Sequence, residues 1–178
     1  VSDDEEPNRV DLTKLRRLKP VFQDDGVLTV GNSPSCNDGA AALVIMGEEE
    51  AARLGLAPMA RIVGYAGAAL APEWFTVAPV EAIRRLLKQT GLSIGDIDLF
   101  EINEAFSAVS LAINRELGLD PKKVNVNGGA VALGHPIGAT GARIVTTLLY
   151  AMEARDVHHG LAALCIGGGE ALALIVER

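Results

Sequence analysis

The sequence predicts an α/β layered fold with a mixed sheet, and three observations lead there. Apolar, strand-like runs alternate with stretches of helical periodicity along most of the chain. Glycine and proline punctuate the changes from one to the next. The last two apolar runs are joined only by Gly167-Gly168-Gly169, so tight a connection that the pair is antiparallel.

The elements follow in order. A short helix is expected around Leu12–Leu18, before turn signals at Asp25-Gly26 and Gly31-Asn32-Ser33-Pro34. From Gly39 an apolar run reads as a strand, and the helix after it is closed by Gly55. Arg61–Ala69 reads as a strand, with Val63 and Tyr65 in alternation. A helix over Thr76–Gln89 has Pro79 in its first turn, an apolar face of Val80, Ile83, Leu86 and Leu87, and Gly91 at its end. Ile97–Ile102 is a buried strand, followed by a helix carrying Phe106, Val109, Ile113 and Leu117. Val124 and Val126 suggest another short strand. A glycine-rich connection then leads to a helix marked by Ile144, Val145, Leu148, Leu149 and Met152. Strands over Leu161–Ile166 and Ala171–Val176 complete the chain.

Composition excludes several functions. The 178 residues are 49% hydrophobic and 22% charged, the balance of a folded chain with a core that needs no disulfide or metal. A net charge of −7 argues against nucleic-acid binding, which rests on cations neutralising phosphates. Cys36 and Cys165 have neither metal-ligand nor redox spacing. Apolar stretches free of charge reach only about ten residues, too short for a membrane span. The acidic N-terminus does not read as a signal peptide, so a soluble, cytoplasmic setting is expected.

The polar residues that stand out lie at strand ends, where layered α/β folds place their chemistry. Asn103 opens Asn103-Glu104-Ala105-Phe106 at a strand-to-helix junction, and a helix N-cap is the plain structural alternative. His135 is held between Gly134 and Pro136 in a loop that ends in Gly138-Ala139-Thr140-Gly141. His158 and His159, by contrast, fall in a polar loop and read as solvated. Cys165 precedes three glycines, whose bare backbone can offer N–H donors to an oxyanion, although such a cysteine is also an ordinary buried hydrophobe. Nucleotide-binding glycine patterns are not met. Taken together, an amide, an imidazole and a thiol suit enolate and acyl-thioester chemistry: a base takes a proton, donors hold the oxygen that becomes negative, and the thiol exchanges a proton with carbon.

The runs NEAFSAV, VNVNGGAVALGHPIGATGARI and LCIGGGEALAL resemble the C-terminal signatures of the thiolases, and LRRLKPVF, DGVLTVGN and NDGAAALVIM extend the resemblance over nearly the whole chain. The resemblance implies an α/β, thiolase-like layered αβαβα fold, of which this chain supplies mainly the C-terminal half with a mixed five-stranded sheet. Residues 1–39 would be the tail of the CoA-binding loop domain. Residues 40–57 would add a strand and helix to the N-terminal half, and residues 58–178 would form the C-terminal domain. Thiolases condense two acyl-CoAs, or cleave a 3-oxoacyl-CoA with free CoA, through a covalent acyl-cysteine and without metal or redox cofactor.

Carried onto this sequence, the resemblance makes His135 the activator of the nucleophilic thiol and an oxyanion donor. Cys165 becomes the acid/base at the substrate's α-carbon, and Asn103 orients a water in the same oxyanion hole. The Gly167 N–H holds the thioester oxygen of the acyl-enzyme. Phe106 lines the pantetheine channel, Ser33 or Ser35 contacts pantetheine, and Arg9 meets the adenine end of CoA. The acyl-accepting cysteine belongs to the N-terminal part, so the implied partners are that part, a CoA thioester and further copies in a dimer or tetramer. The chain departs from the pattern at Pro34, where a serine is usual, and at Ala171, where glycine is common; Cys36 reads as structural. Ketoacyl synthases share the fold but use two histidines, or His and Asn, where this chain offers His and Cys. A non-catalytic CoA-binding or scaffold protein is the alternative from another class.

Overall fold

The structure, a computed structural model, describes residues 10–178. Within them the helices are α1 (Leu12–Leu15), α2 (Glu48–Arg53), α3 (Ala78–Thr90), α4 (Ser107–Leu117), α5 (Ala130–Leu133) and α6 (Thr140–Arg155). The strands are β1 (Arg61–Ala69), β2 (Leu99–Ile102), β3 (His159–Cys165) and β4 (Glu170–Glu177). Helix ends follow the glycines: Gly91 and Gly118 adopt left-handed φ of 73° and 64° at the C-caps of α3 and α4.

The four strands form one mixed sheet in the order β1-β4-β3-β2. β1 and β3 each pair antiparallel with β4, and β2 runs parallel to β3. Alternation along the strands divides the core in two. Phe100, Ile102, Leu161, Ala163, Ala173 and Ile175 face α3 and α4, with Ile83, Leu86, Val109 and Ile113 opposite them. Leu99, Ala162 and Val176 face α6, against Ile144, Leu148 and Met152. Gly160 brings α6 close to the sheet: a Cβ there would lie 2.4 Å from Met152 Sδ and 2.9 Å from Leu148 Cδ1.

The sheet has four strands rather than the expected five. Val124 makes only an isolated bridge to Phe100, because Asn125 turns to φ 47°. Its side-chain amide then pairs with Ile102 as a strand would, accepting from Ile102 N at 2.8 Å and donating to Ile102 O at 2.9 Å. One amide thus ends the pairing that two valines suggest. The apolar run before α2 likewise forms no strand: its backbone pairs with no other strand among the described residues, and Val44 is 88% exposed. A run of apolar residues makes a strand only where an edge is there to receive it. His159 belongs to β3, not to a loop, and Asp98 accepts the backbone N–H groups of both His158 and His159.

Candidate active site

The parallel pair β2–β3 sends both of its C-terminal ends to one edge of the sheet, with Asn103 just beyond β2 and Cys165 closing β3. Asn103 N–H donates to Ala163 O at 2.9 Å, which fixes the two ends side by side. Helix α6 immediately precedes β3 and runs back along it. Its 16 residues span about 24 Å and the seven of β3 about 23 Å, so the N-terminus of α6 lies over the C-terminal end of β3. The His135 loop feeds that N-terminus. Topology alone therefore converges the three motifs.

Side chains lock them. Alternation along β2 puts Glu101 and Asn103 on the face that carries α6, both 2% exposed. From α6, Arg143 Nη2 donates to Asn103 Oδ1 at 3.3 Å. Asn103 is not a helix cap; Phe106 takes that position in α4. Glu104 instead reaches α5, where its carboxylate accepts the Val131 N–H at 3.0 Å. Helix α5 ends at Gly134, which delivers His135. The His135 N–H donates to Ser35 O at 2.9 Å, and its Nδ1 lies 3.0 Å from Thr140 Oγ1.

The segment from Val21 to Asn37 clamps both loops. Ser107 N–H donates to Asn32 O at 3.0 Å, and Phe22 stacks edge-on against Phe106 with ring centroids 5.7 Å apart. Ser33 Oγ donates to Thr29 O at 2.8 Å, while the exposed Ser35 donates its hydroxyl to Asn37 Oδ1 at 2.8 Å. Cys36 is an exposed free cysteine whose backbone forms an isolated parallel bridge with that of His135. Arg9 lies outside the described residues. In the β3–β4 turn, Ile166 N–H donates to Glu170 O at 2.7 Å and Gly169 N–H to Ile166 O at 3.0 Å. Those bonds use neither the Gly167 nor the Gly168 N–H.

The electrostatics favour neutral proton carriers. Burial pushes the Cys165 thiol up, so at rest it holds its proton. Burial, assisted by the Arg143 cation, holds His135 below the usual imidazole range, leaving a neutral ring able to accept a proton. Burial drives the Glu101 carboxyl up to about 7, opposed by Arg143 and reinforced by Glu104. Glu101 Oε1 and Arg143 Nε and Nη1 are buried without hydrogen-bond partners among the described residues. Sequence reasoning missed Glu101, Thr140 and Arg143. The signal available was a carboxylate inside an apolar strand and an arginine one turn into an otherwise apolar helix.

The chain is similar to known proteins. Residues 56–178 match the model of the thiolase C-terminal domain, and residues 1–49 that of the thiolase N-terminal domain. An acetyl-CoA acetyltransferase of Paracoccus denitrificans is 52% identical over 167 residues, 94% of this chain and 43% of the relative. The crystal structure of the Bacillus anthracis acetyl-CoA acetyltransferase superposes with a TM-score of 0.94 at 49% identity, over 98% of this chain and 45% of that one. Human mitochondrial 3-ketoacyl-CoA thiolase in complex with CoA gives 0.90 at 40% identity, over 99% and 45%. The chain thus spans less than half the length of the relatives it matches. By its family models, its relatives and its fold, the chain belongs to the thiolase family.

Proposed function

We propose that this chain is the acid–base and oxyanion-binding part of an acyltransferase that moves acyl groups between CoA thioesters, by Claisen condensation of acyl-CoAs or thiolytic cleavage of a 3-oxoacyl-CoA. The observation that carries the reading is the junction of Asn103, His135 and Cys165 at one sheet edge, with His135 and Cys165 both neutral at rest. In condensation, His135 takes the proton of the acyl-accepting thiol, supplied by the N-terminal thiolase portion. The thiolate attacks the thioester carbon, and the C–S bond to CoA breaks. CoA leaves with the proton of the Cys165 thiol, which thereby becomes a thiolate, while His135 keeps the proton it took. A Cys165 thiolate then removes the α-proton of a second acyl-CoA, and the resulting carbanion attacks the acyl-cysteine carbonyl. Its C–S bond breaks, and the freed first thiolate regains its proton from His135. His135, a water oriented by Asn103 and the Gly167 N–H stabilise the oxyanions.

For CoA, Phe106 lines the pantetheine channel and Arg9 meets the adenine end. Ser33 and Ser35 are both candidates for the pantetheine contact, with exposure favouring Ser35. The chemistry assigned here uses neither metal nor redox cofactor. In the division into 1–39, 40–57 and 58–178, the boundary near residue 57 is supported by the gap at residues 50–55 between the two family models. The complete enzyme is taken to be a cytoplasmic dimer or tetramer. A scaffold role is not favoured, because binding alone needs no proton-transfer pair.

The test combines the chain with a thiolase N-terminal portion and follows exchange of the acetyl-CoA α-protons in D2O. The pair exchanges and the chain alone neither exchanges nor cleaves acetoacetyl-CoA. Cys165→Ala abolishes exchange in the pair. Exchange that survives this substitution removes Cys165 from the role of base.

A further inference from the structure

Thr140 is a polar neighbour of His135 that the catalytic roles above leave unused. It is the first residue of α6 and 4% exposed. Its Oγ1 lies 3.0 Å from His135 Nδ1 and 3.2 Å from Pro136 O. A hydroxyl has one proton and two lone pairs, whereas a peptide carbonyl only accepts. With both contacts made as hydrogen bonds, the one to Pro136 O takes the hydroxyl's single proton. Toward Nδ1 only a lone pair remains, and the ring must supply the proton of that second bond.

We propose that Thr140 is a positioning residue that holds the neutral His135 imidazole as its Nδ1–H tautomer, leaving Nε2 bare as the proton acceptor. An imidazole free in water prefers the opposite tautomer, so the choice is imposed by the protein. The backbone that carries the ring is fixed too, since the His135 main-chain N–H donates to Ser35 O at 2.9 Å. Burial and the Arg143 cation keep the ring neutral, the state in which tautomers matter. The catalytic meaning rests on the thiolase reading. A base that activates a thiol needs an unprotonated nitrogen facing it, and the same nitrogen, once protonated, becomes the oxyanion donor. A ring protonated on Nε2 at rest could donate but not activate.

The measurement is long-range proton–nitrogen correlation NMR of the imidazoles in the 15N-labelled chain paired with an unlabelled thiolase N-terminal portion, at alkaline pH where the rings are neutral. The three histidines are assigned by single substitution. The expected result is a pyrrole-type Nδ1 and a pyridine-type Nε2 for His135 alone to depend on residue 140. Thr140→Val, close to isosteric but without the hydroxyl, lowers the Nδ1–H to Nε2–H ratio by about tenfold, the effect of one hydrogen bond. Thr140→Ser keeps the wild-type tautomer. A wild-type His135 protonated on Nε2, or the same ratio in all three proteins, overturns the proposal. Should the valine variant fail to fold, the wild-type and serine spectra still decide it. In the enzyme reconstituted with an N-terminal portion, Thr140→Val slows turnover and Thr140→Ser rescues it. Lack of turnover in the wild type despite an Nδ1–H ring would count against the functional reading and leave this one standing.

Discussion

Replacing Gly134 with alanine tests whether the His135 loop is held in the conformation described. Gly134 adopts φ 92° and ψ 163°, a region essentially reserved for glycine. An alanine forced into it costs about 1–3 kcal/mol in backbone strain. Its Cβ would also lie 2.2 Å from Asn37 Oδ1 and 2.5 Å from Asn37 Cγ. Asn37 is exposed and can swing away, so the clash itself is cheap. What goes with it is the bond from Ser35 Oγ at 2.8 Å, and Ser35 is the residue whose carbonyl anchors His135. An exposed bond of this kind contributes at most about 1 kcal/mol. The combined expectation is a loss of about 2 kcal/mol, or roughly thirtyfold in the folded-to-unfolded ratio. Urea denaturation reads it as a lower midpoint at constant slope. Exchange of the His135 amide reports the part that takes the form of local opening. Gly138→Ala in the same loop is the control, because Gly138 is exposed, has no positive φ and has open space at its Cβ; it stays within about 0.5 kcal/mol of wild type. A Gly134→Ala protein as stable as wild type, with unchanged His135 exchange, would refute the reasoning.

Three further outcomes are expected. Glu101 keeps its proton in the folded chain up to about pH 7, whereas the unfolded chain releases it near 4.5. Stability therefore falls as pH rises through that window, by on the order of 3 kcal/mol, and Glu101→Gln flattens the slope; a variant that keeps the slope shows that another group is responsible. Leu148→Ala removes a fully buried side chain from the α6 face of the sheet and lowers stability by about 2–5 kcal/mol in urea melts, so a change below 1 kcal/mol would mean α6 is not packed as described. Val44, Ile45, Tyr65 and Leu172 are exposed, and the chain alone binds apolar dye and self-associates, both suppressed by an N-terminal thiolase portion; a monodisperse chain that ignores the dye would contradict this.

Periodicity and punctuation located α3, α4 and α6 and all four strands to within a few residues. These elements bury a regular apolar face and end at glycines, and both properties are local. The reading failed where the outcome depended on partners. Val124 and Val126 alternate like a strand, yet the side chain of Asn125 takes the pairing for itself. The apolar residues before α2 pair with no strand among the described residues, and the sheet to which the resemblance assigns them is that of the N-terminal half. Phe106 was legible as a motif residue, but its stacking on Phe22, far away along the chain, was not.

The same boundary runs through the site. The sequence by itself determined which reactive atoms are present, that Asn103 and Cys165 stand at strand ends and that His135 sits in a glycine-rich loop, because those are matters of residue type and spacing; that the loop follows a helix, α5, and not a strand was seen only in the structure. Only the tertiary structure decided how the atoms are held and protonated. Arg143 meets Asn103 across 40 positions of sequence, Ser35 anchors His135 from another segment, and burial sets the Cys165, His135 and Glu101 protons. Desolvation and charge act through space, so proton affinities belong to the folded neighbourhood rather than to the order of residues.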